Sequence, residues 1–151
     1  FLKRPDSIDT NIYLIKSGSV KISVFTEGQE QIIRFGYSGD LIVALDSFIS
    51  GKKSDFAIQA IKRTEVIAAD KKDFMAFIYS SQAHMASYIQ ILEDLILQQI
   101  EREKDILIDS PKQRYERVLR RSPELFQLIP SRHIANYLRM TPETFSRLKK
   151  S

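Results

Sequence analysis

The stretch Pro130–Ser151, PSRHIANYLRMTPETFSRLKKS, decides the C-terminal fold of this 151-residue chain. Ile134 and Leu138 lie four residues apart, which places them on one face of a first helix. Ser131 stands just before this apolar pair, where its hydroxyl can accept an otherwise unpaired backbone N–H. The spacing therefore predicts a short helix capped by Ser131.

A second helix is predicted after a short turn at Arg139. Thr141 is placed to cap it, and Pro142 falls at its first position, where a missing N–H costs nothing. Phe145 and Leu148 point back at the first helix. Arg139 stands where the turn usually has glycine, and a left-handed backbone there costs roughly 1 kcal/mol. The pattern predicts a helix-turn-helix.

Polar and basic side chains follow the outward face of the second helix and its flank. Such donors and acceptors read base edges and bind phosphates. We expect residues 142–150 to enter the major groove of DNA, the usual docking of this motif. The alternative is two ordinary surface helices with a capped turn. The predicted DNA-contacting residues are Arg132, Thr141, Glu143, Thr144, Ser146, Arg147, Lys149 and Lys150.

Positive charge is concentrated at the same end of the chain. Residues 109–151 hold ten lysines and arginines against four acids, a net charge of +6, whereas residues 1–108 carry −2. A basic surface at a predicted reading helix is the electrostatic signature of a phosphate-binding module. The alternative is a solvated basic face.

Composition excludes several classes of site. Cysteine is absent, so disulfides, thiol catalysis, iron–sulfur clusters and cysteine-type zinc sites are excluded. His84 and His133 are the only histidines and lie far apart in sequence, so we expect no metal site and no cofactor. No nucleophile–base pair or phosphate-binding lysine loop is recognisable, so an enzyme is not predicted. No apolar run approaches a membrane span, and a cytoplasmic protein without membrane contact is expected.

Residues 1–81 read as an antiparallel β-roll of the cupin-like jelly-roll type, the β part of an α+β protein. Apolar residues alternate from Asn11 to Phe25, with a turn at Lys16–Gly18 and a hairpin turn at Thr26–Gln29. Further short strands and turns follow up to Ala69. Short strands at close spacing with glycine turns indicate a small barrel or roll.

A long helix is predicted over residues 82–108. Met85, Ile89, Leu92 and Ile96 recur at 4-3-4 spacing, which is typical of a coiled-coil seam. We expect this seam to pair with a second copy of the chain, since a palindromic DNA site needs a two-fold protein. The alternative is a helix buried in a monomeric core. Asp109–Pro111 then reads as a hinge leading to an all-α domain over 109–151.

The order of roll, long helix, hinge and helix-turn-helix resembles the Crp/Fnr family of bacterial transcription regulators. The resemblance is carried by Tyr13–Val20 (YLIKSGSV), Gly39-Asp40, Thr64–Val66 (TEV) and Thr141–Arg147 (TPETFSR), and it covers nearly the whole chain. It implies a dimeric, sequence-specific regulator whose partners are double-stranded DNA, a second copy and RNA polymerase, with an unknown effector. Because the chain starts at Phe1, without Met and inside an apparent strand, an N-terminal segment is expected to be missing, and the C-terminal end resembles that of short family members without a wing after the reading helix.

The same resemblance assigns roles on the second helix. It implies base reading by Glu143 and Arg147, with Ser146 close to the groove, and phosphate contacts by Thr141, Thr144 and Lys150. Pro142 stands where well-known members carry a guanine-reading arginine, so the target sequence should differ.

The family's cyclic-nucleotide cassette is degenerate in this chain. Counting from Gly39-Asp40 and back from Glu65-Val66, its Gly-Glu positions become Val43-Ala44 and its Arg-Ser-Ala positions become Ser54-Asp55-Phe56. Asp55 would repel a phosphate. We therefore predict a regulator that does not respond to cyclic AMP. The alternative is a ligand-sensing module that acts mainly through protein contacts.

Overall fold

The computed structural model describes all residues, 1–151, and divides into two compact units, Phe1–Ile91 and Leu92–Ser151. The division falls within the long helix. The three domains expected from the sequence, 1–81, 82–108 and 109–151, stay a prediction. None of the helices combines the length and the apolar character that crossing a lipid bilayer requires.

Six strands form two antiparallel sheets in the first unit, as the sequence predicted. One sheet has the order β4-β1-β6 and the other β3-β2-β5. The strands are β1 Ile12–Ser17, β2 Ser19–Thr26, β3 Gln29–Tyr37, β4 Leu41–Val43, β5 Ala57–Ala60 and β6 Glu65–Ala69.

Left-handed residues make the tight connections between strands. Glu27 and Gly28 both have positive φ, 53° and 76°, which is the backbone of a two-residue hairpin turn between β2 and β3. Gly18, between β1 and β2, has φ 97°, and a Cβ there would lie 2.4 Å from Oγ1 of Thr64. Only glycine fits this position without strain.

The two sheets share one apolar core. Gly36 on β3 allows their close approach, since a Cβ there would lie 2.4 Å from Cδ1 of Ile42 on β4. Burying this apolar surface stabilises the roll. The buried core residues are Tyr13, Ile15, Val20, Ile22, Ile42, Ala44 and Ile58.

Three helices accompany the roll: α1 Leu45–Ser50, α2 Lys71–Tyr79 and the start of α3 Gln82–Leu107. Phe74 of α2 makes edge contacts with Phe48 of α1 at 6.3 Å and with Tyr88 of α3 at 6.1 Å between ring centroids. Asp70 caps α2 by accepting from the N–H of Asp73 at 2.8 Å. Aromatic packing therefore holds these helices to one another.

The second unit contains the end of α3 and four short helices, α4 Pro111–Arg121, α5 Pro123–Leu128, α6 Ser131–Tyr137 and α7 Pro142–Lys150. Proline occupies the first turn of α4, α5 and α7, where it needs no partner for an N–H. Ser110 caps α4 by accepting from the N–H of Gln113. The buried apolar residues are Val118, Leu125, Ile129, Ile134, Ala135, Leu138 and Phe145.

Candidate DNA-binding surface

The turn between α6 and α7 is a Schellman motif built without glycine. The N–H of Met140 bonds the carbonyl of Ala135 at 3.0 Å, and that of Arg139 bonds the carbonyl of Asn136 at 2.9 Å. Arg139 is left-handed, with φ 53°, as the sequence predicted. The start of α6 differs from the prediction: Pro130 occupies the cap position and Ser131 is already helical, so its hydroxyl makes no capping bond.

The start of α7 agrees with the sequence. Thr141 has an extended backbone, and its Oγ1 accepts from the N–H of Thr144 at 3.2 Å, with Pro142 at the first helical position. Phe145 packs the inner side of α7 onto the neighbouring helices. Its buried ring lies 5.8 Å from that of Tyr115 and 6.2 Å from that of Phe126, measured between ring centroids. These contacts leave the opposite side of α7 facing solvent.

Arg114 of α4 joins the end of α3 to this turn. Its guanidinium donates to the carbonyls of Leu138 at 2.6 Å and Arg139 at 3.1 Å. It also donates to the carbonyl of Ile108 and, at 3.4 Å, to that of Asp109. The residue is only 7% exposed. Four backbone acceptors from two separate segments therefore converge on one buried cation.

Asp105 of α3 binds two further arginines of α4. Its carboxylate accepts from Nε of Arg117 and from Nη1 of Arg121, each at 2.8 Å, and its side chain is 0% exposed. Glu101 adds contacts to both arginines, at 3.7 Å to Arg121. The hydrogen bond to Asp105 raises the pKa of Arg121. This ion cluster attaches α4 to α3.

The structure changes how the basic charge of residues 109–151 is to be understood. Arg114, Arg117 and Arg121 face inward or pair with acids of α3. They contribute to the net +6 without being available to DNA. Apart from these three arginines, the exposed cations of this segment are Lys112, Arg120, Arg132, Arg139, Arg147, Lys149 and Lys150.

The predicted DNA-contacting residues lie on one continuous region of α6 and α7. Seven of them are exposed and Thr144 is half-buried. A shallow groove of about 490 Å³ runs beside α7, and Arg132, Lys149 and Lys150 line it together with Ser146. A groove bearing three cations beside an exposed polar helix suits a phosphate backbone.

Two predicted contact residues bind each other. Nη2 of Arg147 lies 3.4 Å from Oγ1 of Thr144, one turn earlier on α7, and that hydroxyl lies 3.1 Å from Oγ1 of Thr141. The contacts run along the outward surface of the helix. In this arrangement the guanidinium of Arg147 lies along α7, beside Thr144.

The predicted seam on α3 is only partly covered within one chain. Ile89 is 56% exposed and Ile96 is 60% exposed, whereas Met85 and Leu92 are half-buried. Ile100, four residues after Ile96, is also exposed. An exposed row of this kind on a long helix is typical of a surface that pairs with another protein.

The five residues predicted to form a degenerate cassette lie at the end of β4, at the start of α1 and in the segment before β5. Val43 ends β4, and Ala44 is buried at the N-cap of α1. Both side chains are apolar, so neither offers a carboxylate for a ribose. Ser54 is buried, and its Oγ accepts from the N–H of Phe56 at 3.1 Å. Asp55 is exposed and negative.

Lys3 occupies the space beside this cassette. Its ammonium donates to the carbonyls of Phe56 at 2.6 Å, Ser54 at 2.9 Å and Arg4 at 3.0 Å, and the residue is 3% exposed. Burial lowers the pKa of Lys3, with nearby aspartates opposing that shift. The N-terminal segment also forms the bridge Ser7–Ser54 with the cassette and the bridge Lys3–Ile58 with β5.

Sequence reasoning overlooked Lys3, Asp105 and Arg114. Arg114, Arg117 and Arg121 recur at helical spacing, a pattern that was interpreted only as charge available to DNA. This spacing places the three arginines on one face of α4, and that shared face was the signal that they could pair with another helix. Nothing in the sequence marked Lys3, because its partners are backbone carbonyls distant in the chain.

Comparison with known proteins agrees with this architecture. Residues 1–81 match the family model of the cyclic nucleotide-binding domain. The fumarate and nitrate reduction regulatory protein of Escherichia coli K12 is 35% identical over 156 residues, which cover 91% of this chain and 59% of that protein. The chain thus spans about three-fifths of the length of the curated relatives it matches.

Solved structures show the same fold. A mutant of CooA from Carboxydothermus hydrogenoformans has a TM-score of 0.79 at 18% identity, covering 99% of this chain and 70% of that one. A transcriptional regulator of the Crp/Fnr family from Eubacterium rectale has a TM-score of 0.71 at 16% identity, covering 99% and 72% respectively.

Proposed function

The chain belongs to the Crp/Fnr family, whose cyclic nucleotide-binding domain it carries in residues 1–81, and we propose that it is a sequence-specific, DNA-binding transcriptional regulator. The observation that carries this proposal is α7: its inner side is fixed by buried Phe145, and its outer side offers exposed polar and basic groups. Relatives that are regulators support a regulatory rather than a catalytic role.

The division of labour on α7 follows from side-chain chemistry. Arg147 can donate two parallel hydrogen bonds to guanine, and Glu143 can accept from the amino group of cytosine. Pro142 has no N–H and cannot read a base. Lys149, Lys150 and Arg132 line the groove beside α7 and are suited to phosphates. Specificity should therefore rest on Glu143 and Arg147.

Thr144 takes a different role from the phosphate contact that family resemblance implies. Its hydroxyl already contacts Arg147 and Thr141. We assign it to orient the guanidinium of Arg147 before DNA arrives. A side chain that is already ordered loses less conformational entropy on binding.

A homodimer completes the reading unit. Ile89 and Ile96 expose apolar surface that a second copy of α3 would remove from water, with Met85 and Leu92 completing the seam. Two copies of α7 would then read two halves of a palindrome. RNA polymerase is a further partner that the family relationship suggests.

The roll does not serve as a cyclic AMP sensor in this proposal. Val43 and Ala44 lack the carboxylate that would bind a ribose, and Ser54, Asp55 and Phe56 lack the cation that would bind the phosphate. Lys3 directs its charge to the carbonyls of Ser54 and Phe56 instead of to an outside anion. Any effector would have to use other groups.

Selection of DNA by the purified chain tests the proposal. Random duplexes are enriched on the protein, sequenced, and bound again at increasing salt. We expect a palindromic consensus and an affinity that falls steeply with salt, because each phosphate contact releases counterions. Weak binding without sequence preference would contradict DNA reading and favour a module that acts through protein contacts.

A further inference from the structure

We infer that Arg114 is a positioning residue that fixes the direction of the reading helix relative to the end of α3. This inference rests on the proposed function, because it concerns how two reading helices are set on one DNA site. The residue touches no DNA-facing group. Its role would be to make the spacing between two half-sites a property that the protein can recognise.

The argument begins with the segment between α3 and α4. Residues 108–110 are not helical, and the sequence predicted a hinge at 109–111. The carbonyls of Ile108 and Asp109 are instead bound by Arg114. A segment whose carbonyls are held by a buried guanidinium cannot swivel independently without breaking charge-assisted hydrogen bonds.

The same guanidinium holds the turn before α7. Leu138 caps the C-terminal end of α6 and Arg139 is the left-handed residue of the turn, and the carbonyls of both accept from Arg114. Thr141, which starts α7, follows two residues later. One rigid planar group therefore fixes the end of α3 and the start of the reading helix at once.

A second contact between α3 and α6 supports this. Nη2 of Arg102 on α3 donates to the carbonyl of Tyr137 at 2.7 Å, and its guanidinium lies 3.8 Å from the centre of the Tyr137 ring. Burial lowers the pKa of Arg102. Arg102 grips the last turn of α6, whereas Arg114 alone reaches both the linker and the turn, so loss of Arg114 should loosen orientation without dissolving the helix pair.

The mechanistic consequence is spacing selectivity. If α7 is rigidly set on α3, a dimer joined through α3 presents two reading helices at a fixed separation and angle. Inserting one base pair between the half-sites rotates one half by roughly a tenth of a turn. A rigid protein must reject that site, whereas a loosely jointed one can follow it.

The test uses the full chain and the palindrome returned by selection. Affinities of wild type, Arg114→Lys and Arg114→Gln are measured on the palindrome, on the same DNA with one base pair inserted or removed at its centre, and on one half-site. The single ammonium of lysine cannot donate to four carbonyls as the planar guanidinium does. Glutamine removes the charge and keeps one amide group as a donor. Arg120→Lys is the matched control, an exposed arginine of the same helix.

We expect Arg114→Lys to retain half-site affinity while the preference for the correct spacing falls roughly tenfold, as the loss of charge-assisted hydrogen bonds implies. Arg120→Lys should behave as wild type. Unchanged spacing preference in both Arg114 variants would overturn the inference. Loss of half-site affinity in both would overturn it too, because Arg114 would then build the helix pair and not orient it. Absence of DNA binding by wild type would instead reject the proposed function.

Discussion

Arg121 and Asp105 form an ion pair in which Nη1 of the arginine lies 2.8 Å from Oδ1 of a carboxylate without exposed surface. Arg117 adds a second bond to the same carboxylate. The two arginine side chains keep about 30% of their surface exposed, since each lies at the edge of the cluster. The pairing is thus asymmetric. The charge of Asp105 has no access to water and needs the arginines, whereas each arginine is partly hydrated without the acid.

That asymmetry predicts an order of stabilities. Replacing both Arg117 and Arg121 by alanine leaves Asp105 buried and unpaired, and should cost about 3–5 kcal/mol of unfolding free energy. Asp105→Ala should cost less, because the freed arginines can turn to water. Urea unfolding measures both, with Arg120→Ala as the exposed control. A larger loss in Asp105→Ala would show that the arginines, and not the acid, carry the buried charge.

Two alanine variants should distinguish a residue that reads a base from one that binds a phosphate. Arg147→Ala should lose about 1–3 kcal/mol at one base step and relax the preference there. Lys150→Ala should weaken all sequences equally and reduce the salt slope by about one. Binding to a panel of single-base variants of the selected palindrome distinguishes the two. Uniform loss in Arg147→Ala would instead make Arg147 a phosphate contact.

The predicted dimer seam on α3 can be tested by introducing charged residues into it. Ile89→Glu combined with Ile96→Glu places unpaired carboxylates in the predicted interface, and should weaken dimerisation by roughly 100-fold or more, since burying an unpaired charge costs several kcal/mol. Light scattering after size exclusion gives the mass. Gln98→Glu, on another side of α3, is the control and should leave the mass unchanged. A wild-type monomer at micromolar concentration would reject the seam.

The cassette residues predict that cyclic AMP leaves thermal stability unchanged. A ligand that binds only the folded chain would raise the melting temperature, because the free energy of unfolding grows with the logarithm of the ligand concentration above Kd. Thermal unfolding with and without micromolar cyclic AMP decides the matter. A rise of several degrees would show that other groups of the roll replace the missing anchors.

Lys3 should stabilise the cassette from within. Lys3→Met leaves the carbonyls of Ser54 and Phe56 without their donor and should cost about 1–3 kcal/mol. The folded-state pKa of Lys3 lies below its ordinary value of 10.5, so raising the pH toward that value relieves the cost of burying the charge. Wild type should therefore gain stability relative to the variant in that range. Lys52→Met, in the exposed neighbouring loop, should show neither effect.

The sequence was sufficient wherever local chemistry decides structure. Thr141 and Pro142 start α7 because a hydroxyl acceptor and a residue without an N–H suit a helix start in any context. The left-handed backbone of Arg139 was predictable too, because the turn between the two apolar patterns is short. Ser131 was assigned as a cap because it lies before an apolar pair, but Pro130 takes that position and shifts the helix start by one residue.

The sequence was insufficient where long-range contacts decide the role of a charge. Arg114 and Arg147 are the same residue type in one basic segment, yet one is buried on carbonyls and the other lies on the reading face. Only the packing of α3 on α4 separates them. For the same reason nothing in the sequence indicated that the carbonyls of Ile108 and Asp109, beside the predicted hinge at 109–111, are bound by Arg114.

The four acceptors of Arg114 are all backbone carbonyls, which every amino acid supplies. Substitutions at positions 108, 109, 138 and 139 can thus leave this connection intact, whereas position 114 tolerates little. In an alignment of relatives we expect an invariant arginine, and we expect substitutions at its partner positions to be independent of it. Methods that detect contacts from correlated substitutions would find no partner for it, so the joint that orients the reading helix would leave no covariation signal.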